Sequence, residues 1–261
     1  MIYQRKKYPD GGIYAEVSDF SNPVIVEKIN NYEDLFFLMS LKSVCDHNDI
    51  ENVELVIPCM FQQQHDRRFQ ENQSSELKLM GNFINNLNFK KVSVFHPHSD
   101  VTEGVLNNCR VIDNSRFITK VLADINSPNL ILLSTDGGSY KWINKLANTI
   151  KFQGEVYGAS KARQFSAAKN EHSLVQLIEK MDFGGKDVLV IDDLSVYGST
   201  FLGLADMLVE RNVGNIYLAV SHITVPNPNK GLENKYRRIY CTNSKYDSYD
   251  LNNLTIFDWN S

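Results

Sequence analysis

Residues 188–210 read VLVIDDLSVYGSTFLGLADMLVE. Four aliphatic residues, Val188–Ile191, make the continuous apolar run expected of a strand buried on both faces. They deliver two adjacent carboxylates, Asp192 and Asp193. A turn of small residues follows, and a helix opens at Ser199-Thr200. This order makes one βα unit of a parallel sheet. The free N–H groups and positive dipole end at such a helix start suit a phosphate, and the Ser199 and Thr200 hydroxyls add donors. The two carboxylates cannot coordinate that phosphate directly, but they accept from a sugar diol or hold a cation. The segment therefore points to a phosphate with a hydroxylated group attached. An ordinary strand–turn–helix corner with an aspartate N-cap accounts for the same residues and stays open.

Outward from this unit the pattern repeats. Apolar runs at Pro23–Val26, Val53–Ile57, Val92–Phe95, Asn129–Leu133, Val156–Gly158 and Ile216–Val220 read as strands. Helical stretches fall at Tyr32–Lys42, Ser75–Leu87, Lys141–Thr149, Ser173–Met181 and Phe201–Glu210. Such alternation predicts an α/β fold with parallel sheets and right-handed crossovers. Arg110–Ser115 is a plausible seam between halves. The tail Asn227–Ser261, rich in Asn, Tyr and Lys, reads as hairpin or loop.

Ligands of open α/β sheets bind beyond the carboxyl ends of the strands, and these ends are polar. Pro58 is followed by a segment that includes Gln64-His65-Asp66-Arg67-Arg68, either an anion site or a plain polar loop. Phe95 is followed by His96-Pro97-His98-Ser99-Asp100. Ser134-Thr135-Asp136-Gly137-Gly138 ends another strand, and Ser160-Lys161-Ala162-Arg163 a fourth. His98 and Asp136 together can bind Mg²⁺, a hard cation that accepts carboxylate, water and substrate phosphate. Imidazole is an unusual magnesium ligand, so action of His98 through phosphates is a second reading, and Asp136-Gly137-Gly138 also fits a tight turn. Lys161 and Arg163 can neutralise charge on a transferring phosphoryl group, or form a solvated surface pair.

The 261 residues carry a formal net charge of −4, with 43% hydrophobic and 22% charged residues, as in ordinary globular chains. That balance argues against a general nucleic-acid binder but not against an anionic small substrate. No apolar run approaches the roughly 20 residues of a membrane span, and the start MIYQRKKYPDGG lacks the apolar core of a secretory signal. Cys45, Cys59, Cys109 and Cys241 form no CxxC pair, so free thiols and a cytoplasmic location are expected. P-loop, dinucleotide-fingerprint and nucleophile-elbow motifs are absent.

Taken in order, these segments resemble those of the ribose-phosphate pyrophosphokinases, or PRPP synthetases. Tyr8–Gly12 is similar to the family's F-x-[DN]-G-E segment, and Pro58–Arg68 to P-Y-x-x-x-R-Q-D-[KR]. Phe95–Ser99 is similar to D-L-H with His98 on the histidine, and Ser134–Gly138 to S-P-D-x-G-G with Asp136 on the metal-linked aspartate. Lys161 and Arg163 match K-x-R of the catalytic loop, and Val190–Thr200 resembles the PRPP motif V-D-D-x-x-D-T-G-G-T. The resemblance covers about residues 7–245. It implies two tandem phosphoribosyltransferase-like domains, 1–117 on the ATP side and 118–261 on the ribose-phosphate side, each a mainly parallel sheet flanked by helices. It further implies Mg²⁺-dependent transfer of the β,γ-diphosphoryl group of ATP to ribose 5-phosphate, in a homo-oligomer with a shared ATP site.

By the same resemblance, Lys161 and Arg163 stabilise the transition state, while His98 and Asp136 organise Mg–ATP. Asp10, Gln64, His65, Asp66, Arg67 and Arg68 contact ATP, Asp10 from a neighbouring subunit. Asp192 and Asp193 hold the ribose hydroxyls, and Val196, Tyr197, Gly198, Ser199 and Thr200 form the 5-phosphate loop. There are departures. Gly12 replaces a glutamate, Gln64-His65 stands for Arg-Gln, His96 for Asp, and Val196-Tyr197 for Asp-Thr. Tyr197 can stack on a ring, which keeps a 5-substituted ribose such as ADP-ribose open as acceptor. A non-catalytic regulatory subunit is the remaining alternative.

Overall fold

The computed structural model describes residues 1–68, 70–166, 171–178 and 182–261; the side chains of 160–181 lie outside the described residues. The chain divides into two compact units, Met1–Asp113 and Asn114–Ser261, with the division falling inside Arg110–Ser115.

The first unit begins with an antiparallel hairpin, β1 (Ile2–Lys7) and β2 (Ile13–Asp19), joined by the turn 8–12. Then come β3 (Val24–Val26), α1 (Tyr32–His47), β4 (Glu54–Ile57), α2 (Glu76–Asn86), β5 (Lys91–Phe95), α3 (Val101–Val105) and β6 (Cys109–Ile112). Strands β3-β4-β5-β6 form a parallel sheet in chain order. Its core joins Ile25, Leu55, Ile57 and Val94 of the strands to Leu38 and Leu41 of α1 and Leu77 and Ile84 of α2. A capping box starts α1: Asn31 accepts from the Asp34 N–H at 3.0 Å, and Asp34 accepts from the Asn31 N–H at 3.2 Å. The hairpin is tied down from below. The Tyr3 hydroxyl donates to the Val26 carbonyl at 2.6 Å, and Arg5 donates to Asp34 at 2.7 Å while lying over the Phe37 ring.

The second unit contains α4 (Ser115–Ile125), β7 (Ile131–Ser134), α5 (Gly137–Thr149), β8 (Val156–Ser166), β9 (Glu171–Ile178), β10 (Val188–Ser195), α6 (Ser199–Val209), β11 (Ile216–Ile223), α7 (Gly231–Lys235), β12 (Arg238–Thr242) and β13 (Leu254–Phe257). The sheet order is β13-β12-β11-β10-β7-β8-β9, parallel except for the β8–β9 hairpin. The central strands β10 and β11 are buried throughout, which is why they read as unbroken aliphatic runs. Val188 and Val190 pack against Phe201 and Leu204 of α6. Leu189 and Ile191 pack on the other face with Phe117 and Ile118 of α4 and Ile143 of α5.

Three expectations are corrected. The helix expected over Ser173–Met181 is not seen over its described part: Glu171–Ile178 is strand β9, paired with β8 from Ala159↔Ile178 to Ser166↔Glu171, and 179–181 lie outside the described residues. Leu174, Val175, Leu177 and Ile178 fit helical spacing as well as a strand, and the partner strand decides. Because β8 continues to Ser166, Lys161 and Arg163 sit within a strand, opposite Gln176 and Leu174, and not beyond its end. The tail is neither a simple hairpin nor a loop, since β12 and β13 extend the parallel sheet.

Helices tend to leave through non-glycine residues in the left-handed region. Asp49 follows α1 (φ 52°), Asn88 follows α2 (φ 52°), Asn126 ends α4 (φ 45°) and Asn212 follows α6 (φ 54°).

Candidate active site

In the second unit the site is built on the carboxyl end of β10. Asp192 and Asp193 are each 8% exposed. They lie inside the strand, close to its carboxyl end. The Thr135 hydroxyl, just past β7, donates to Asp192 Oδ2, and the Asp193 N–H donates to Asp192 Oδ1 at 3.0 Å. Neither aspartate caps α6. The cap position is Gly198, at φ 88°, so the aspartate-cap reading of this corner falls away. A Cβ on Gly198 would stand 2.6 Å from Leu232 Cδ1, so both the backbone angle and the space require glycine. With no capping side chain, the amides at Ser199 and Thr200 open α6 with donors available to an anion. The Ser195 hydroxyl, at the end of β10, is buried with no hydrogen-bond partner among the described residues. Val196 is half-buried, and Tyr197 is exposed at the turn.

Asp136 is the N-cap of α5, accepting from the Ser139 N–H at 2.9 Å and the Ser139 hydroxyl at 3.1 Å. The Asp-Gly-Gly run is thus a helix start, not an isolated tight turn. At the ends of β11 and β12 a buried polar set gathers. Thr242 donates to the Ser221 carbonyl at 2.7 Å, Asn114 to the Ser221 hydroxyl at 3.1 Å, and His222 Nδ1 lies 2.7 Å from Ser244 Oγ. Thr135, Asn114 and Ser195 were not singled out from sequence. The usable signal was present, a polar residue directly after or within an aliphatic strand.

In the first unit the loops after β4 and β5 come together. The His98 N–H donates to Gln63 Oε1 at 3.0 Å, and Ser99 donates to Asp66 Oδ2 at 2.8 Å. Gln63 is buried, whereas Gln64, His65, Arg67, Arg68 and His98 are exposed. Arg67 Nε stands 3.8 Å from Asp66. His96 ends β5 at φ 38°, a strained angle for a non-glycine residue. Asp10 is at the exposed hairpin turn and accepts from the Gly12 N–H at 3.0 Å. The structure does not bring Asp10 into the loop pair among the described contacts. The side chains of Lys161 and Arg163 lie outside the described residues.

At three positions the thiols are held in their protonated, less nucleophilic form. Burial pushes the Cys109 thiol up to about 11 and raises Cys45 and Cys241 as well, so these remain protonated at neutral pH. Among the described residues no group of three or more His, Cys, Asp or Glu is gathered to hold a metal. No helix is long and apolar enough to cross a membrane, again among the described residues.

No family model matches the chain. It is 25% identical over 218 residues to ribose-phosphate pyrophosphokinase 2 of Archaeoglobus fulgidus, covering 83% of this chain and 74% of that protein. It is 22% identical over 262 residues to the ribose-phosphate pyrophosphokinase of Prochlorococcus marinus, covering 96% and 77%. Over most of its length the chain is thus similar to ribose-phosphate pyrophosphokinases. A solved phosphoribosylpyrophosphate synthetase from Mycobacterium smegmatis matches its fold with a TM-score of 0.80, at 13% identity, over 98% of this chain and 86% of that one. The parallel sheets flanked by helices are therefore a fold shared with a family member, as the motif order led one to expect.

Proposed function

We propose that the protein transfers the β,γ-diphosphoryl group of ATP to the 1-hydroxyl of ribose 5-phosphate, giving PRPP and AMP. The β10–α6 corner carries this reading. It joins two buried carboxylates, an unpartnered Ser195 hydroxyl and a helix start without a side-chain cap. Donors and acceptors in that order fit a phosphate on a hydroxylated sugar.

In the proposed reaction the anomeric oxygen attacks the β-phosphorus in line and its proton leaves to solvent. The bond from the β-phosphorus to the α,β-bridging oxygen breaks, and AMP departs with that electron pair. Such a step depends on positioning and charge neutralisation. The Ser199 and Thr200 amides and hydroxyls hold the 5-phosphate, and Asp192 and Asp193 orient the ribose hydroxyls. Thr135 fixes Asp192. Lys161 and Arg163 neutralise charge developing on the transferred group. Asp66, Arg67, Arg68, Gln64 and His65 hold ATP with His98, and Asp10 serves a neighbouring copy of a homo-oligomer, as its remote turn suggests. Mg²⁺ keeps most of its waters and needs few protein ligands, so the carboxylate of Asp136 would be enough to hold it. When bound, it neutralises phosphate charge on ATP.

Incubation with Mg–ATP and one acceptor at a time tests this reading. AMP and a diphosphorylated product are expected with ribose 5-phosphate. Product with ADP-ribose alone would move the same chemistry to a 5-substituted ribose, with Tyr197 as the ring contact. No AMP with either acceptor would sink diphosphoryl transfer and leave a regulatory subunit.

A further inference from the structure

We propose that the amino-terminal edge of the second unit's sheet carries a separate binding site for a small phosphate monoester. The site is a cavity of about 460 Å³ lined by Asp124, Ile125, Tyr217, Arg237, Arg238 and Tyr240. Tyr217 is the second residue of β11 and Arg238 the first of β12. The strand ends that hold Asp192 and His222 are at the other end of the sheet. Five residues of extended β11 separate Tyr217 from His222, about 17 Å at roughly 3.3 Å per residue. A ligand here is distinct from one on the α6 start.

Two observations point to an anion. Tyr217 lines the cavity with its ring mostly buried, and no hydrogen bond of its hydroxyl is found among the described residues; Asp187 is the carboxylate that acts on it, with Arg237 and Arg238 opposing. A phenol hydroxyl at the cavity can donate to a ligand there. Burial also keeps it protonated by raising it above the usual phenol range, so it is a donor. Arg237 makes one hydrogen bond, to the Asn215 side-chain oxygen at 3.1 Å, and has no carboxylate partner among the described residues. Most of its five donors are unused. Arg238, by contrast, is paired with Asp124 at 3.1 Å, and the Tyr240 hydroxyl also donates to Asp124, at 2.8 Å. The Asp124 pair thus screens the acidic wall and leaves Arg237 and Tyr217 to face the ligand.

The geometry suits phosphate over carboxylate. The Arg237 guanidinium comes from the residue before β12 and the Tyr217 hydroxyl from β11, so two chain segments supply donors to one tetrahedral oxyanion. The cavity exceeds one phosphate, and Asp124 can accept from a hydroxyl on the remainder. A hydroxylated phosphate monoester fills both parts.

Titration of the ¹⁵N-labelled full chain with inorganic phosphate, and separately with glycerol 3-phosphate, tests the site. Saturable shifts are expected at the amides of 215–218 and 237–240, with glycerol 3-phosphate binding more tightly. Arg237→Gln is expected to weaken binding at least tenfold and Tyr217→Phe at least threefold, while Ser199→Ala leaves these shifts in place. Tyr217→Phe keeps the packing, so it answers even if Arg237→Gln disturbs folding. Shifts confined to 195–201, or equal affinity in Tyr217→Phe and the native chain, would overturn the proposal.

Discussion

The Thr135 hydroxyl donates to the Asp192 carboxylate, linking the end of β7 to the end of β10. These strands are neighbours in the sheet but 57 residues apart in the chain at this contact. This donor therefore helps set the orientation of a buried acceptor. Replacing Thr135 with Val removes that donor and leaves the carboxylate less satisfied, at a cost of about 1–3 kcal/mol. The expected result is a rise of about tenfold in the KM for ribose 5-phosphate with a smaller change in kcat, restored by Thr135→Ser. Equal KM values in the native enzyme and Thr135→Val would remove Asp192 from acceptor binding.

Asp136 has two separable roles. As N-cap of α5 it contributes about 0.5–2 kcal/mol to stability; as a carboxylate it is the proposed Mg–ATP contact. Asp136→Asn keeps a capping side chain and loses the charge. Its melting temperature is expected to stay close to native, with activity down at least tenfold and the Mg²⁺ requirement raised. Asp136→Ala is expected to lose both. Full activity in Asp136→Asn would confine the residue to its cap.

Lys161 and Arg163 are paired by the K-x-R resemblance and by their place on β8. Lys161→Ala and Arg163→Ala are each expected to lower kcat by about 10²-fold or more with little change in ATP affinity, because the charge they meet develops in the transition state. Single-turnover measurement checks this. Near-native turnover in both variants would show that β8 does not take part.

Glu27 sits beneath the hairpin, with Tyr3, Arg5 and Asp34 around it. Burial raises its carboxyl to about 7 against the pull of Arg5, whose shorter contact, at 2.7 Å, goes to Asp34 instead. The unfolded chain loses this proton near 4.5, while the native state still holds it up to about 7. The native state thus binds more protons in that window, and stability falls as pH rises through it. Glu27→Gln is expected to flatten this decline between about pH 5 and 8, measured by denaturant unfolding. An unchanged slope would place the titration elsewhere.

Several elements were legible because physics writes them locally. Strands β4, β5, β7, β10 and β11 are buried, so they appear as short aliphatic runs, and the polar residues after them mark loops that do meet, as Gln63 with His98 and Asp66 with Ser99. Strand β9 was not legible, because Leu174, Val175, Leu177 and Ile178 satisfy two periods at once and only the register against β8 separates them. Strands β1 and β2 hid behind charge, IYQRKK and IYAEVSD, since a two-stranded ribbon has little to bury. At the site, the Asp192–Asp193 pair was readable as carboxylates, but not its place inside the strand. That followed only once β10 was seen to extend to Ser195. The contribution of Thr135 depends on sheet order, which no single segment states.

The left-handed helix exits bear on engineering. Asp49, Asn88, Asn126 and Asn212 accept positive φ angles that glycine adopts without a Cβ penalty. Each turn therefore holds a small reserve of conformational strain. Glycine at these four positions would trade that strain against a looser unfolded chain. The balance at each turn offers a route to a hardier protein whose β10–α6 corner is left as it was found.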